Sequence, residues 1–288
     1  MIFRLNGYEG VLHLEKIYKN RLIIQILTTI VFCTLLWAGA GLYVAIASAM
    51  VSLIINVSTL FIPNINEFKN FLFKLPSKEY IKKMYKWQLK VSLVWCSGYL
   101  YWQLPTIIIF SLLGPVLSGQ YSMTANVINS IMNIGQVFIK TKAALLGKLR
   151  ATNQFVEAYS LYKRCCKLSY TIIIMGGVGM IVFWFIYPSF KIWERMLPFA
   201  QLLVLFIFFT INMVTLNQAM FARCSKVEPF FYIAMFVNFA FPVVLLISLT
   251  MFPNTWSIVF SISIIHLIEY IWGCSLFKKY LAKRIFEI

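Results

Sequence analysis

Aspartate is absent from this chain of 288 residues, and its nine acidic residues are all glutamates. Histidine is nearly as scarce, with two residues. Paired carboxylates and clusters of carboxylate or imidazole groups carry much of the hydrolytic and metal chemistry of proteins. Their scarcity disfavours many metal sites and most enzymes that use two carboxylates, and we expect no cofactor.

Cysteine is present but lacks the spacings that bind metals. The six cysteines form no CxxC pair and no motif with histidine. Cys165 and Cys166 are adjacent in the chain and too close for easy bridging. We expect them to fill space at the start of a helix rather than to form a redox pair.

Charged residues make up 12% of the chain, whereas 61% of its residues are hydrophobic and the mean hydropathy is +0.80. This is more apolar surface than the core of a soluble domain needs, so the remainder must face lipid. The uncharged runs 22–62 and 91–139 each exceed twice the ~20 residues that cross a bilayer once. Each therefore predicts two spans, separated at Gly39-Ala40-Gly41 and at Gly114-Pro115 with Gly119 nearby.

The remaining apolar runs complete a prediction of eight transmembrane helices in an all-α integral membrane protein. The predicted spans are residues 22–38, 42–62, the two halves of 91–139, 168–187, 197–221, 230–250 and 256–277. Pro105 lies inside the third span, where we expect it to kink the helix by freeing backbone carbonyls. Gly176, Gly177 and Gly179 in the fifth span are expected at close helix contacts, because the residues of a nucleotide-binding loop do not follow them.

The 26 lysines and arginines, which give the chain a net charge of +17, predict the direction of every span. When the spans are threaded through a bilayer, all of these residues except Lys191 and Arg195 fall on one side. Lys and Arg resist translocation, so this side and both termini are predicted to be cytoplasmic in the bacterial inner membrane. The basic loops are expected to lie against lipid headgroups rather than to bind nucleic acid.

Three segments are predicted along the chain. Residues 1–62 form a basic N-terminal segment plus a helix pair, residues 63–90 form a basic cytoplasmic linker with an interfacial helix, and residues 91–288 form a lobe of six helices. No exterior loop in this arrangement is long enough to form a soluble domain.

Polar residues within the predicted fourth span recur at helical spacing. Ser122, Asn126, Asn129, Asn133 and Gln136, followed by Lys140, are four or three residues apart. This spacing puts them on one helix face. Amides are costly in hydrocarbon, so the face either lines a wet, substrate-facing cavity, which we favour, or forms a dry seam in which the amides bond to neighbouring helices.

The third and sixth spans also carry unusual residues. Trp95, Tyr99 and Trp102 share a face of the third span, where they either stack on sugar rings or, as we favour, pack in the core or anchor the helix at the interface. The sixth span contains polar residues that are distributed around the helix rather than along one face: Thr210, Asn212, Thr215, Asn217 and Gln218.

Glu269 is the only formally charged residue inside a predicted span, and His266 lies one turn before it. A buried carboxyl beside an imidazole can take up and release a proton, as ion-coupled transport requires. The alternative is that the two side chains only satisfy each other within the helix bundle.

Helix pairs with short outer turns and basic inner loops give this chain a familiar layout. The stretches that carry the resemblance are RLNGYEGVLHLEKIYKNRL with the AGAGLYVAIAS turn, and LPTIIIFSLLGPVLSGQYSMTANVINSIMNIGQVF. They resemble the polysaccharide (O-antigen, Wzx-type) flippases of the multidrug/oligosaccharidyl-lipid/polysaccharide exporter superfamily. The similarity covers nearly the whole chain.

The resemblance implies a carrier that is not an enzyme. It would move an undecaprenyl-diphosphate-linked oligosaccharide to the outer leaflet by alternating access, with the sugars in a wet cleft lined by the polar stripe of the fourth span. The family has twelve helices in two lobes, and this chain resembles the last eight, with residues 1–62 as the remnant of the first lobe. Expected partners are membrane lipids, a missing N-terminal half or a second copy, and polysaccharide polymerase machinery.

Other functions stay open. A multidrug or small-molecule exporter of the same superfamily is the nearest alternative, and an inactive fragment is another. A membrane glycosyltransferase or polymerase is disfavoured, because such enzymes hold acidic or arginine groups in sizeable exterior loops and this chain has neither the loops nor any aspartate.

Overall fold

The computed structural model describes residues 14–41, 43–58, 78–225 and 227–285. Over these ranges the chain forms nine α-helices and one short 3-10 helix, and no strand. In chain order they are α1 (Leu14–Trp37), α2 (Tyr43–Asn56), α3 (Lys78–Trp102), α4 (Leu104–Leu113), α5 (Pro115–Ala151), α6 (Phe155–Ile186), the 3-10 helix (Trp193–Arg195), α7 (Phe199–Arg223), α8 (Phe231–Met251) and α9 (Thr255–Ile285).

Five helical segments within the described ranges are long and apolar enough to cross a membrane. They are Trp87–Leu113, which combines most of α3 with α4, then Phe155–Ile186, Phe199–Arg223, Phe231–Met251 and Thr255–Ala282. The apolar parts of α1 and α2, Leu22–Trp37 and Tyr43–Asn56, are shorter. The prediction of an all-α, multi-pass membrane protein is therefore confirmed.

α5 is the longest helix, at 37 residues, yet it is not among these five. The amides of its predicted stripe lower its hydropathy, so length and composition alone do not mark it as a span. Counting α3 and α4 as one interrupted helix, the described chain has the eight helical segments that the sequence predicts.

Several helices run past the predicted limits of the membrane. The basic segment 140–167 is helical except for residues 152–154, because α5 extends to Ala151 and α6 begins at Phe155. Residues 78–90 of the predicted linker are the first turns of α3. Any interfacial helix earlier in that linker falls on residues 59–77, outside the described residues.

The chain divides into two compact units, Met1–Ile81 and Lys82–Ile288. In the first unit, α1 and α2 pack together as a hairpin around the predicted small-residue turn. Gly39 and Gly41 have φ of +79° and +55°, a left-handed conformation that glycine adopts without the steric cost of a Cβ. The predicted segments 1–62, 63–90 and 91–288 stay a prediction.

The second unit begins with a broken helix and a single-residue connection. α3 ends at Trp102 and α4 begins at Leu104, with Pro105 in its first turn, as expected for a residue that lacks an N–H donor. Gly114 alone separates α4 from α5, and its φ of +90° reverses the chain direction. Gly119, which we expected in this turn, lies inside α5.

The core of the second unit centres on α5, α7 and α9. α5 packs on α4, α6 and α7, while α9 packs on α7 and α8. Fully buried side chains from these elements include Ile128, Leu205, Phe221, Phe241 and Ile262. The unit is therefore a helical bundle with one large apolar core and a smaller cluster formed by Met180, Met196 and Leu202.

Glycines set the closest helix contacts in this bundle. A Cβ added at Gly135 of α5 would lie 2.7 Å from Ile173 of α6, and one at Gly176 would lie 2.6 Å from Ile131 of α5. A Cβ at Gly177 would lie 2.5 Å from the Phe206 ring, whereas Gly179 has nothing within 4 Å. The expected close packing thus applies to Gly176 and Gly177 and not to Gly179.

Arg150 joins four elements at one end of the second unit, which we call the basic end. Its Nε donates to Ser225 Oγ at 2.7 Å, its Nη2 donates to Tyr280 Oη at 3.1 Å, and its guanidinium carbon lies 4.4 Å from the centre of the Phe155 ring. The ends of α5, α7 and α9 therefore meet the start of α6. Successive helices therefore alternate in direction here, and the side of the membrane that this end faces stays a prediction.

An ion pair lies at the same end of the second unit. Arg223 and Glu228 form a bidentate pair, with nitrogen–oxygen distances of 2.7 and 3.0 Å. Burial raises the pKa of the adjacent Cys224 thiol to about 11, so this cysteine stays protonated at neutral pH. All six cysteines of the chain are free.

We expect Gly135→Leu to destabilise the bundle by about 1–3 kcal/mol, because the new side chain overlaps Ile173 and lies 3.2 Å from the Ser169 carbonyl oxygen at its Cβ. Gly179→Leu is the matched control, since it adds the same side chain where nothing is close. Thermal unfolding of both purified variants in detergent measures the difference. Equal unfolding temperatures for the two variants would show that the α5–α6 contact is not as close as described.

Candidate functional site

The polar stripe predicted on the fourth span lies on α5, at the edge of its exposed face. Asn126 and Asn133 are exposed, and Ser122, Asn129 and Gln136 are half-buried. The core-facing side chains of α5 include Tyr121, Thr124, Ile128, Met132 and Ile139. The bundle of the second unit thus buries another face of this helix and leaves two amides outside.

The stripe has few hydrogen bonds to neighbouring helices. Gln136 donates from Nε2 to the Met213 sulfur on α7 at 3.3 Å, which is a weak acceptor. The side-chain amides of Asn126, Asn129 and Asn133 have no hydrogen-bond partner within the described ranges. Within this unit the stripe is therefore not a seam of amides bonded across helices, and its amides are free to bond water, a substrate or another polypeptide.

Side chains at the loop end of α5 fix the rotation of the helix. Thr124 is fully buried, donates to the Gln120 carbonyl at 2.8 Å and accepts from the Leu197 N–H at 2.9 Å. Gln120 donates to the Glu194 carbonyl at 3.0 Å. These bonds tie α5 to the loop before α7, and so they set the direction in which the stripe points.

The predicted aromatic face of α3 is also exposed. Trp95, Tyr99 and Trp102 are 73%, 64% and 52% exposed. Their rings are not part of the core of the second unit, so of the two alternatives we favoured from the sequence, core packing and anchoring at the interface, anchoring stays a prediction. They are available to lipid or to a ligand.

The inward face of α3 holds polar residues of a different kind. Asn238 of α8 donates to Ser97 Oγ at 2.8 Å and to the Val94 carbonyl at 3.3 Å. Tyr101 lies one turn further along, with its Oη 2.5 Å from His266 Nε2. The helix that breaks at Gln103 is thus tied to α8 and α9 just before the break.

His266 is fully buried on α9 and bonded through both ring nitrogens. Its Nδ1 lies 3.1 Å from the Phe208 carbonyl, which can only accept, so Nδ1 carries the proton. In the neutral ring, Nε2 then accepts from the Tyr101 hydroxyl. This imidazole bridges α3, α7 and α9.

Glu269 is 7% exposed and bonds Asn212 of α7 rather than His266. The Asn212 Nδ2 donates to Glu269 Oε2 at 2.5 Å. The two predicted coupling residues are therefore close in sequence but have separate partners on other helices. The alternative in which they satisfy each other does not describe this bundle.

Three residues that form these buried hydrogen bonds were not among the site residues predicted from the sequence: Asn212, Tyr101 and Asn238. Asn212 belongs to a polar column on α7 that continues with Thr215 against Gly273 and with Gln218, whose Nε2 lies 3.7 Å from the Cys274 sulfur. The polar residues of this span surround the helix, so spacing could not show which of them face α9.

The chemistry available here is hydrogen bonding by amides, hydroxyls and aromatic rings, together with the buried Glu269 carboxyl and His266 imidazole. Among the described residues, no three His, Cys, Asp or Glu side chains group as metal ligands. No protein-family model, curated protein or solved structure matches the chain. Its function is therefore inferred from the residues and their geometry.

We expect Asn133→Cys to react about ten-fold faster than Ile134→Cys with a membrane-impermeant maleimide, because thiolates form in water and not in hydrocarbon. Both residues are exposed on α5, at nearly the same depth, but they point about 100° apart. Labelling is measured in intact membranes of a variant whose six native cysteines are replaced. Equal rates at the two positions would mean that the stripe faces the same solvent as the apolar side of α5.

Proposed function

We propose that this protein is part of a carrier that flips undecaprenyl-diphosphate-linked oligosaccharide across the bacterial inner membrane by alternating access. Both termini would lie in the cytoplasm, and the chain would correspond to the last eight helices of a twelve-helix, two-lobe transporter. The observation that supports this most directly is the amide face of α5, which the bundle leaves uncovered.

The energetic argument rests on the cost of an unpaired amide in lipid. Moving such a group from water into hydrocarbon without a partner costs about 4–8 kcal/mol. Asn126 and Asn133 are exposed, and Asn129 has no partner among the described residues. A hydrated cleft removes this cost, so we place the face in the wall of a water-filled path.

The chemistry of the face suits a substrate rich in hydroxyl groups. Amides donate and accept hydrogen bonds without carrying charge, so they can bond sugar hydroxyls in many orientations. The exposed rings of Trp95, Tyr99 and Trp102 offer flat surfaces on which sugars stack. Lys140 continues the stripe beyond Gln136 and is exposed, and its cation would suit the diphosphate of the substrate.

A cleft needs two walls, and the amide face supplies one. We assign the second wall to polypeptide outside the second unit, namely a first lobe or a second copy of this chain. This assignment follows from the resemblance to two-lobe transporters.

A small-molecule exporter of the same superfamily is the second candidate, and the buried Glu269 supports it. A carboxyl held by Asn212 inside the bundle is a group that ion-coupled export would use. α5, which carries Asn126 and Asn133 on its exposed face, contains no carboxylate. This favours a neutral, hydroxyl-rich substrate over a cationic one.

The double variant Asn129→Leu, Asn133→Leu should abolish complementation of a flippase-null strain while leaving membrane insertion intact. Leucine keeps the size of the side chains but removes the hydrogen bonds to sugar and water. Surface polysaccharide is measured together with the amount of protein in the membrane. Ile134→Leu, on the neighbouring exposed position, is the control and should retain full activity; unchanged polysaccharide in the double variant would refute the role of the stripe.

Glu269→Gln should reduce transport if the carboxyl couples a proton to substrate movement. Glutamine keeps a hydrogen-bonding side chain opposite Asn212 but cannot exchange a proton near neutral pH. The rate at which proteoliposomes translocate a lipid-linked oligosaccharide is measured with and without an imposed pH gradient. A wild-type response to the gradient would dismiss proton coupling at this residue, and Glu157→Gln, at an exposed glutamate, controls for the loss of one acid.

A further inference from the structure

A groove lined by apolar side chains lies between α5 and α6, at the end of the second unit opposite the basic end. Its volume is about 330 Å³. Met123, Val127 and Ile131 line it on α5, Gly176 and Met180 line it on α6, and Trp193 lines it from the 3-10 helix. None of these residues belongs to the polar stripe.

The spacing of α5 and α6 explains why the groove exists. A Cβ added at Gly135 would overlap Ile173, and one added at Gly176 would overlap Ile131, so the two helices are in close contact at these positions. Beyond this contact, Met123 and Val127 of α5 pack against a cluster that includes Met180 of α6 and Met196, and these side chains line the groove. The 3-10 helix lines the far end of the groove through Trp193, and we call this end the roof.

The groove is suited to hydrocarbon rather than to water. Apolar cavities of this kind exclude water, because a water molecule inside would lack hydrogen-bond partners. The outer surface of α6 at this level carries exposed Val182, Phe185 and Ile186, and Phe183 at the edge of the groove is 39% exposed. The groove therefore opens toward the surface that contacts lipid chains.

The roof of the groove has the features of a membrane–water interface. Trp193 donates from Nε1 to the Tyr187 carbonyl at 2.9 Å and packs on Phe183 with ring centres 5.7 Å apart. Tryptophan and tyrosine concentrate at the depth of lipid headgroups. The roof thus lies at the level where lipid phosphates are found.

Two cations flank Trp193 in this roof. Lys191 and Arg195 are exposed, as is Glu194 between them. They are the two basic residues that depart from the charge bias of the whole chain, so the bias does not explain their presence. An anionic group bound at this site would.

We propose that the groove binds an anionic phospholipid, with one acyl chain between α5 and α6 and the phosphate on Lys191 and Arg195. This site is distinct from the amide face of α5, and it does not depend on the proposed transport function. The bound lipid would fill the gap between α5 and α6 beside the loop that fixes the rotation of α5.

Native mass spectrometry of the delipidated protein tests this proposal. The full chain is titrated with phosphatidylglycerol and, separately, with phosphatidylcholine of the same acyl chains. We expect one phosphatidylglycerol to bind roughly ten-fold more tightly than phosphatidylcholine, since each nearby cation favours an anionic headgroup. Equal affinity for the two lipids would overturn the proposal, as would tight binding of a polyprenyl phosphate without binding of phosphatidylglycerol.

Two pairs of variants separate the acyl and headgroup contacts. Val127→Phe narrows the groove and should weaken the binding of both lipids about ten-fold. Val178→Phe, at an exposed position of α6 outside the groove, should weaken the binding of neither lipid.

Lys191→Gln with Arg195→Gln should remove the preference for phosphatidylglycerol and leave phosphatidylcholine binding unchanged. Lys278→Gln with Lys279→Gln makes the same charge change at the basic end and should keep the preference.

Because Lys191 and Arg195 are exposed, their replacement tests the headgroup contact even if Val127→Phe fails to fold. Size-exclusion chromatography of each variant reports folding before the titration. A retained preference in the Lys191 and Arg195 double variant, or unchanged binding in a folded Val127→Phe variant, would contradict the site.

Discussion

Hydrocarbon offers no hydrogen bonds, and this constraint organises the whole second unit. Several polar side chains inside the bundle are paired across helices, namely Asn238 with Ser97, Tyr101 with His266, and Asn212 with Glu269. Each pair connects elements far apart in the chain, so the cost of burying polar groups is offset by contacts that also fix the arrangement of the helices. The exposed amides of α5 that lack such a partner are expected to contact water or another molecule.

α5 shows how one helix can meet three different environments. Its core face is apolar, and the edge that carries Asn126 and Asn133 is polar. The remaining face carries the exposed Ile134 and, on the side toward α6, the residues that line the apolar groove. The ties of Thr124 and Gln120 to the loop before α7 hold these faces in place. A rotation of the helix by one third of a turn would exchange the positions of the exposed amides and Ile134, and so would put the amides into lipid and the isoleucine into the proposed cleft.

Charge and turn residues allowed the helical segments and the positions of their breaks to be predicted. Gly39, Gly41, Pro105 and Gly114 act locally, through backbone conformation, and they break the chain where we expected. Helix ends were predicted less well, because hydropathy reports where the bilayer ends, whereas α5 and α6 continue as helices beyond it. The partner of Glu269 could not be predicted at all, since nothing in spacing distinguishes Asn212 from its polar neighbours on α7, and the pairing depends on how α7 and α9 are rotated.

Gly114 has a mechanical consequence. A single residue joins α4 to α5, so the chain has no slack there and the adjoining helix ends cannot move apart. A tilt of α5 would therefore move the adjoining end of α4 with it. The strain is then taken up at Gln103, where α3 and α4 are already interrupted, while Tyr101 stays anchored to His266 on the far side of that joint.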